Sequence, residues 1–306
     1  MSQNKKQAHV PQTTGHVWDG DLQEYNNPIP DWWLIAFYIS VAAAVIYWFM
    51  YPAWPIGGSY TKGFETITYV NDKGQTKTTH WNTRALLMAE TNAAVAAQKP
   101  YYTKIANTPF EQIAKDPDLN SFVISAGKAL FSDNCAPCHQ QGGGGKMGFA
   151  PNLTDDDWLY GGTFANIQQT ITGGRHGYMP PFATALNNAQ MTELADYVLS
   201  FSKVPVNPAS AQAGDALFHS ETAACYYCHG VDAKGRQIIG SKNLTDNIWL
   251  WADVPDAVTV ADKENVIKKV ISGGLDKGVM PSWKNRLSAD QIKLLAVYVH
   301  ELGGGQ

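Results

Sequence analysis

Four cysteines, Cys135, Cys138, Cys225 and Cys228, are all that the 306-residue chain contains, and a histidine closes each pair to give CAPCH and CYYCH. Two cysteines one helical turn apart bring both sulfurs to one side of a flat ligand. There they can form thioethers with its two vinyl groups while the adjacent imidazole points at its metal. This is the c-type haem attachment pattern. A disulfide framework scatters its cysteines to staple distant loops, and a structural zinc site draws four N or S ligands together from two such pairs. A redox CxxC with an incidental histidine would have to arise twice. Cys135, Cys138 and His139 are therefore assigned to one covalently bound haem c, and Cys225, Cys228 and His229 to a second.

The ligand opposite each histidine must come from further along the chain. Met179 and Met280 stand at equivalent places, each followed by proline. A thioether is a soft ligand, and methionine opposite histidine raises the potential of low-spin haem iron. The expected metal ligands are therefore His139 and Met179 at the first iron, and His229 and Met280 at the second. With both axial positions filled, such iron passes electrons rather than binding substrate. Met147, close behind His139 in a Gly-rich loop, and Met191, on an amphipathic helix, read as structural. His176, three residues before Met179, competes for the first iron; Asp276 and Lys277 stand near that place in the second copy, so a histidine is not shared. His80, His219 and His300 read as surface or capping residues.

These parts recur in order. AGKALF (126–131) matches AGDALF (213–218), and NLTDDDWLY (152–160) matches NLTDNIWLW (243–251). ITGGRHGYMPPF (171–182) matches ISGGLDKGVMPSW (271–283), and LADYVLSF (194–201) matches LAVYVHEL (295–302). The offset between copies grows by roughly ten residues after the NLT block, which places an insertion near residues 252–262, and insertions belong in surface loops. SKVPVNPASAQ (202–212) reads as a short stiff linker. Met191, Leu194, Ala195, Val198 and Leu199 follow the i, i+3, i+4, i+7, i+8 spacing of an amphipathic helix.

Each copy resembles a class I cytochrome c: an N-terminal helix with Gly and an aromatic four apart (Gly127 and Phe131; Gly214 and Phe218), the attachment motif, a Gly-rich loop, a Met-Pro loop and a C-terminal helix. In that family a backbone carbonyl orients the proximal histidine. The resemblance puts Pro151 in that role in the first copy and Lys242 at its place in the second.

Trp32 to Tyr51 carry no charge, which at about 1.5 Å per residue spans the hydrocarbon of a bilayer. Trp32, Trp33, Trp48, Tyr51 and Trp54 crowd its ends, where amphipathic rings favour the headgroups. A cleavable signal peptide needs a cationic run before it and a small-residue site after it; here DGDLQEYNNPIPD precedes it and PAWPIGG follows. Flanking charge does not set the orientation. Covalent haem attachment outside the bacterial cytoplasm does, with the N-terminus cytoplasmic and the rest periplasmic. A net charge of −4, spread along the chain, makes nucleic acid no partner.

The resulting architecture is mainly α: one N-terminal transmembrane helix followed by two tandem class I cytochrome c domains. The divisions are a cytoplasmic segment (1–30), the transmembrane helix (31–53), a periplasmic linker (54–118, with a helix expected over 82–99), domain 1 (119–204) and domain 2 (205–306). Asp155, Asp156 and Asp157 read either as a helix start or as part of an acidic docking surface for a basic donor.

With GHVWDGDLQEYNNPIPDWW at its start, then one span and the order CxxCH, Met-Pro, CxxCH, Met-Pro, the chain resembles the CcoP-type subunit III family of cbb3-type cytochrome c oxidase over essentially its whole length. Many family members carry a further apolar helix at the N-terminus, whereas residues 1–30 here are polar. The resemblance implies a di-haem cytochrome in the bacterial inner membrane. It takes electrons from a periplasmic donor cytochrome c and passes them to a mono-haem cytochrome c subunit and a haem-copper subunit that reduces oxygen and pumps protons. The span has no histidine for such a haem-copper site. The competing readings are the electron-accepting cytochrome subunit of a periplasmic dehydrogenase, a di-haem peroxidase, and a haem-based sensor. The last two need an open coordination site, which two Met-Pro loops argue against.

Overall fold

The computed structural model describes residues 12–304, so residues 1–11 of the expected cytoplasmic segment lie outside the described residues. The chain forms two compact units, residues 1–97 and 98–306.

In the first unit, strands β1 (Thr13–Trp18) and β2 (Leu22–Tyr25) form a hairpin. Helix α1 (Asp31–Met50) follows with no buried side chain, apolar on every face, as suits a helix solvated by lipid. Two short hairpins come next, β3 (Pro55–Ile56) with β4 (Ser59–Tyr60), and β5 (Thr66–Val70) with β6 (Thr76–His80). The amides of Phe64 and Glu65 bond the carbonyls of Phe49 and Met50 at 3.1 and 2.9 Å, satisfying acceptors that the end of α1 leaves open. Helix α2 (Thr83–Asn107) is capped by the expected Asn82, whose side chain accepts from the Ala85 amide at 2.9 Å. It runs beyond the expected Lys99 and through Pro100.

The second unit continues with α3 (Phe110–Lys115), α4 (Pro117–Asn134) and α5 (Ala136–His139), the short helix of the first CxxCH. Then come α6 (Phe164–Gly173), strand β7 (Arg175–Met179) and α7 (Asn188–Phe201). The second copy supplies α8 (Pro208–Phe218), α9 (Tyr226–His229), α10 (Val260–Gly273), strand β8 (Leu275–Met280) and α11 (Ala289–His300). Side-chain caps set several starts. Asp116 and Asn207 each precede a proline at the first helical position, and Asn187 with Gln190, Thr259 with Asp262 and Ser288 with Gln291 form capping boxes. No helix begins at Asp155–Asp157. Asp155 instead closes a turn, accepting from the Asp157 amide at 3.1 Å.

The packing crosses between the repeats. Leu194 and Leu199 of α7 are buried against Phe218 of α8 and Ile267 and Ile271 of α10. Reciprocally, Ile292, Leu295 and Val299 of α11 are buried against Phe131 of α4 and Ile167 and Ile171 of α6. The helix crossings explain two glycines. A Cβ on Gly127 of α4 would collide with the ring of Tyr298 on α11, and one on Gly214 of α8 with the backbone of Glu193 on α7. A third core joins Ile105 and Ile113, from the expected linker, to Val123, Leu294 and Val297. Part of the inserted segment also faces inward, since Ala252 and Val254 are buried.

The strands between these halves pair antiparallel, with Arg175 opposite Met280, Gly177 opposite Gly278 and Met179 opposite Leu275. Extended backbone rises about 3.3 Å per residue, so each strand can carry its methionine roughly 20 Å from the helix that precedes it.

Candidate haem-binding sites

Cys135 ends α4 and Cys138 and His139 lie on α5, while Cys225, Cys228 and His229 repeat the arrangement at α9. The Nδ1–H of His139 donates to the Pro151 carbonyl at 3.0 Å, as the class I resemblance implied. That of His229 donates to the Lys242 carbonyl at 2.9 Å. A main-chain acceptor serves equally well from lysine or proline. Each bond fixes the ring and its tautomer, leaving Nε2 as the nitrogen for a metal.

Burial depresses the proton affinity of both imidazoles; the backbone hydrogen bond opposes this in each, and at His229 the Lys242 charge adds to it. Both are thereby held in the neutral, ligating form. Burial pushes the thiols of Cys135 and Cys225 up to about 11. Neither is the low-pKa thiolate of a redox dithiol, which argues against that alternative for the motif.

A cavity of about 720 Å³ contains all four cysteines, both histidines and both methionines, within the usual size range for cofactor sites. Its walls include Phe131, Trp158, Ile171 and Trp251. A smaller cavity of about 130 Å³ is lined by His229, Cys225, Phe218 and Met179, but not by Met280. An apolar chamber with paired thiols, oriented neutral imidazoles and thioethers is the donor set that haem c requires. Cys135, Cys138, Cys225 and Cys228 would hold its vinyl carbons, and the imidazoles its iron.

The two methionines pack in different cores. Met179 packs in the core that holds Cys225 and Phe218. Met280 packs in the core that holds Cys135, Ala136 and Phe131. Their backbones are anchored to match. The Phe182 amide bonds the Ile271 carbonyl at 3.0 Å, and the Trp283 amide bonds the Ile171 carbonyl at 3.1 Å. His176 is exposed, with Nε2 2.6 Å from Asp276 Oδ1. Met147 is exposed.

One interaction escaped the sequence reading. Lys242 Nζ lies 2.8 Å from both Asp157 and Asp246, and the three side chains are 12–24% exposed. It ties the NLT block of one copy to that of the other. Asp157 is therefore committed internally. Of the triplet, Asp156 alone is left as an exposed carboxylate. The equivalence of NLTDDD and NLTDNI pointed to this block, but nothing in sequence pairs Lys242 with Asp157.

Helices around CxxCH motifs whose histidines are steered by main-chain carbonyls, with methionines in the same chamber, define a haem-binding c-type cytochrome. Residues 11–58 match the N-terminal domain of cytochrome oxidase-cbb3, FixP, and residues 123–198 and 209–299 match cytochrome c oxidase, cbb3-type, subunit III. The cbb3-type cytochrome c oxidase subunit FixP of Azorhizobium caulinodans is 44% identical over 98% of this chain and 95% of its own. Subunit CcoP of Rubrivivax gelatinosus is 42% identical over 95% of this chain and 84% of its own. That of Azospirillum brasilense is 38% identical over the full length of both. The chain belongs to the subunit III family of cbb3-type cytochrome c oxidase, as a membrane-anchored, electron-transferring cytochrome.

Proposed function

We propose that the chain holds two haem c groups and relays single electrons within a cbb3-type oxidase. It takes them from a periplasmic donor cytochrome c and delivers them to a mono-haem cytochrome c subunit and the haem-copper subunit. Helix α1 crosses the bacterial inner membrane once, with the N-terminus cytoplasmic and residues after 54 periplasmic.

The duplication carries this reading: His139 and His229 are each steered by a carbonyl, and each shares a core with a methionine. When bound, haem c supplies an iron that gains and loses one electron. His139 and His229 hold fixed orientations, so the coordination sphere needs little rearrangement when the charge changes. The thioethers of Met179 and Met280 would help hold the iron and keep water and substrate from it, which would favour electron transfer over oxygen chemistry or peroxide cleavage. Because both motifs open into one cavity, electrons can pass between the centres within this chain.

The test is the haem content of the denatured protein, since thioethers survive unfolding, together with the spin state of the intact protein. Two haems per chain, both low-spin, are expected. A single haem, or a high-spin component, overturns the proposal.

A further inference from the structure

We propose that the hairpin of β1 and β2 is a docking element, which binds the basic cytoplasmic surface of a bilayer-spanning subunit of the same oxidase beside the start of α1. The inference rests on the orientation and the oxidase complex proposed above and names the surface of this chain that meets the partner.

The turn builds the hairpin. Asp19 and Gly20 have φ of +52° and +91°, the two left-handed residues that a tight hairpin turn requires, and the Asp21 amide bonds the Trp18 carbonyl at 3.3 Å. This sets Trp18 opposite Leu22 and Val17 opposite Gln23. Yet every residue from Gln12 to Trp33 is exposed. Val17, Trp18, Leu22, Tyr25 and Ile29 are each 46–60% exposed. A two-stranded hairpin is marginal in water by itself, and this much apolar surface on so short a segment marks a face that another molecule covers.

Charge and reach identify that molecule. Between Gln12 and Asp31 the chain carries Asp19, Asp21, Glu24 and Asp31 and no lysine or arginine. The cytoplasmic leaflet is itself anionic, so lipid headgroups repel this segment. Cytoplasmic loops of bilayer-spanning proteins, by contrast, carry an excess of lysine and arginine. Only the residues between Tyr25 and Asp31, with Pro28 and Pro30 stiffening them, separate the hairpin from α1. At full extension they reach about 20 Å. The hairpin is thereby kept beside the membrane surface, where a subunit packed on α1 presents such loops. Its aromatic and aliphatic side chains supply the anchors of the contact and its carboxylates the charged rim.

The test uses the full chain with one introduced thiol, since the native cysteines are taken up by the thioethers. Leu22→Cys is labelled with a membrane-impermeant maleimide in inside-out vesicles. In the assembled oxidase the reaction should be about tenfold slower, or more, than in membranes lacking the other subunits, because a docked thiol reacts only through its undocked fraction. Equal rates overturn the docking. A benzophenone side chain in place of Trp18 should cross-link to a bilayer-spanning subunit; adducts with lipid alone or with a second copy of this chain overturn the proposal.

Charge is read separately. Asp21→Lys and Glu24→Lys, combined with Asp19→Asn to keep a residue suited to the turn, should return the labelling rate to within about twofold of that in membranes lacking the other subunits. Protection that survives these substitutions and is insensitive to salt overturns the basic partner surface. If Leu22→Cys labels instead from the opposite face, in right-side-out vesicles, the orientation itself is wrong. Labelling from the expected face without protection refutes the docking alone, so the two failures are distinguishable.

Discussion

His176 and Asp276 face each other across the ladder of β7 and β8, with the ring Nε2 2.6 Å from a carboxylate oxygen. This contact occupies the one histidine whose position in sequence made it a rival for the first iron. The side chains are 58% and 67% exposed, so the pair stabilises little, about 0.2–1 kcal/mol. His176→Ala should therefore leave the methionine-to-iron band unchanged and lower stability by less than about 1 kcal/mol. A band altered by this substitution would restore His176 as a ligand.

Lys242 joins the repeats through its side chain and steers His229 through its carbonyl, and the two roles can be separated. Lys242→Met keeps the carbonyl but leaves Asp157 and Asp246 as neighbouring, poorly solvated carboxylates. Removing one partner from such a cluster costs about 3 kcal/mol. Burial, the largest influence, already pushes the Asp157 carboxyl up despite Lys242, and losing the lysine charge raises it further. A carboxyl whose pKa is raised in the folded state favours folding below its unfolded value, near 4, and that contribution is lost as pH rises through the folded value. The defect in the variant should thus be largest near neutral pH and shrink towards pH 4. Denaturant titrations at several pH values, read against the wild type, measure this. A pH-independent defect would place the cost in packing.

Adjacent glycines at the end of α10 should behave oppositely. Gly273 lies within the helix and a Cβ there meets nothing within 4 Å, whereas Gly274 has φ +65° and abuts Met179 and the prolines after it. Gly273→Ala is expected to be neutral or to add about 0.5–1 kcal/mol from helix propensity. Gly274→Ala should cost at least about 1–2 kcal/mol for the left-handed backbone and displace the Met179 loop. Thermal melts and the charge-transfer band should move together for Gly274→Ala alone.

Much of this was legible in the sequence. The cysteines and histidines are marked by spacing, α1 by an unbroken apolar run, and the C-terminal helices by period and caps. The packing across the repeats was not legible, because duplication itself hides it. Gly127 accepts Tyr298 in the place where Gly214 accepts the α7 backbone, so either copy's second half offers the same surface to either first half. Chain connectivity decides between the alternatives. Only Ser202–Asn207 separates α7 from α8, and a loop this short closes more cheaply than one spanning a haem motif. Pairing α7 with α8 and α4 with α11 lowers the summed closure cost by an amount on the order of 1 kcal/mol relative to pairing within repeats. The Lys242–Asp157 bridge was hidden for the same reason, since it exists only once the copies interlock.

Met179→Leu and Met280→Leu test the ligation without unfolding the protein. Both residues are partly buried and pack against apolar cores, and leucine matches methionine closely enough in volume that the packing cost should stay below about 1.5 kcal/mol. The cysteines remain, so the covalently attached haem stays with the chain. What changes is one soft sulfur donor, whose loss leaves the iron five-coordinate or bound to water and lowers its potential. Each substitution should remove about half of the charge-transfer band if both centres contribute equally, and the double variant all of it. Redox titration should show one midpoint falling in each single variant while the other holds, and electron delivery through the chain should slow in both. A band that keeps its full intensity in either single variant would show that the methionine replaced is not a ligand.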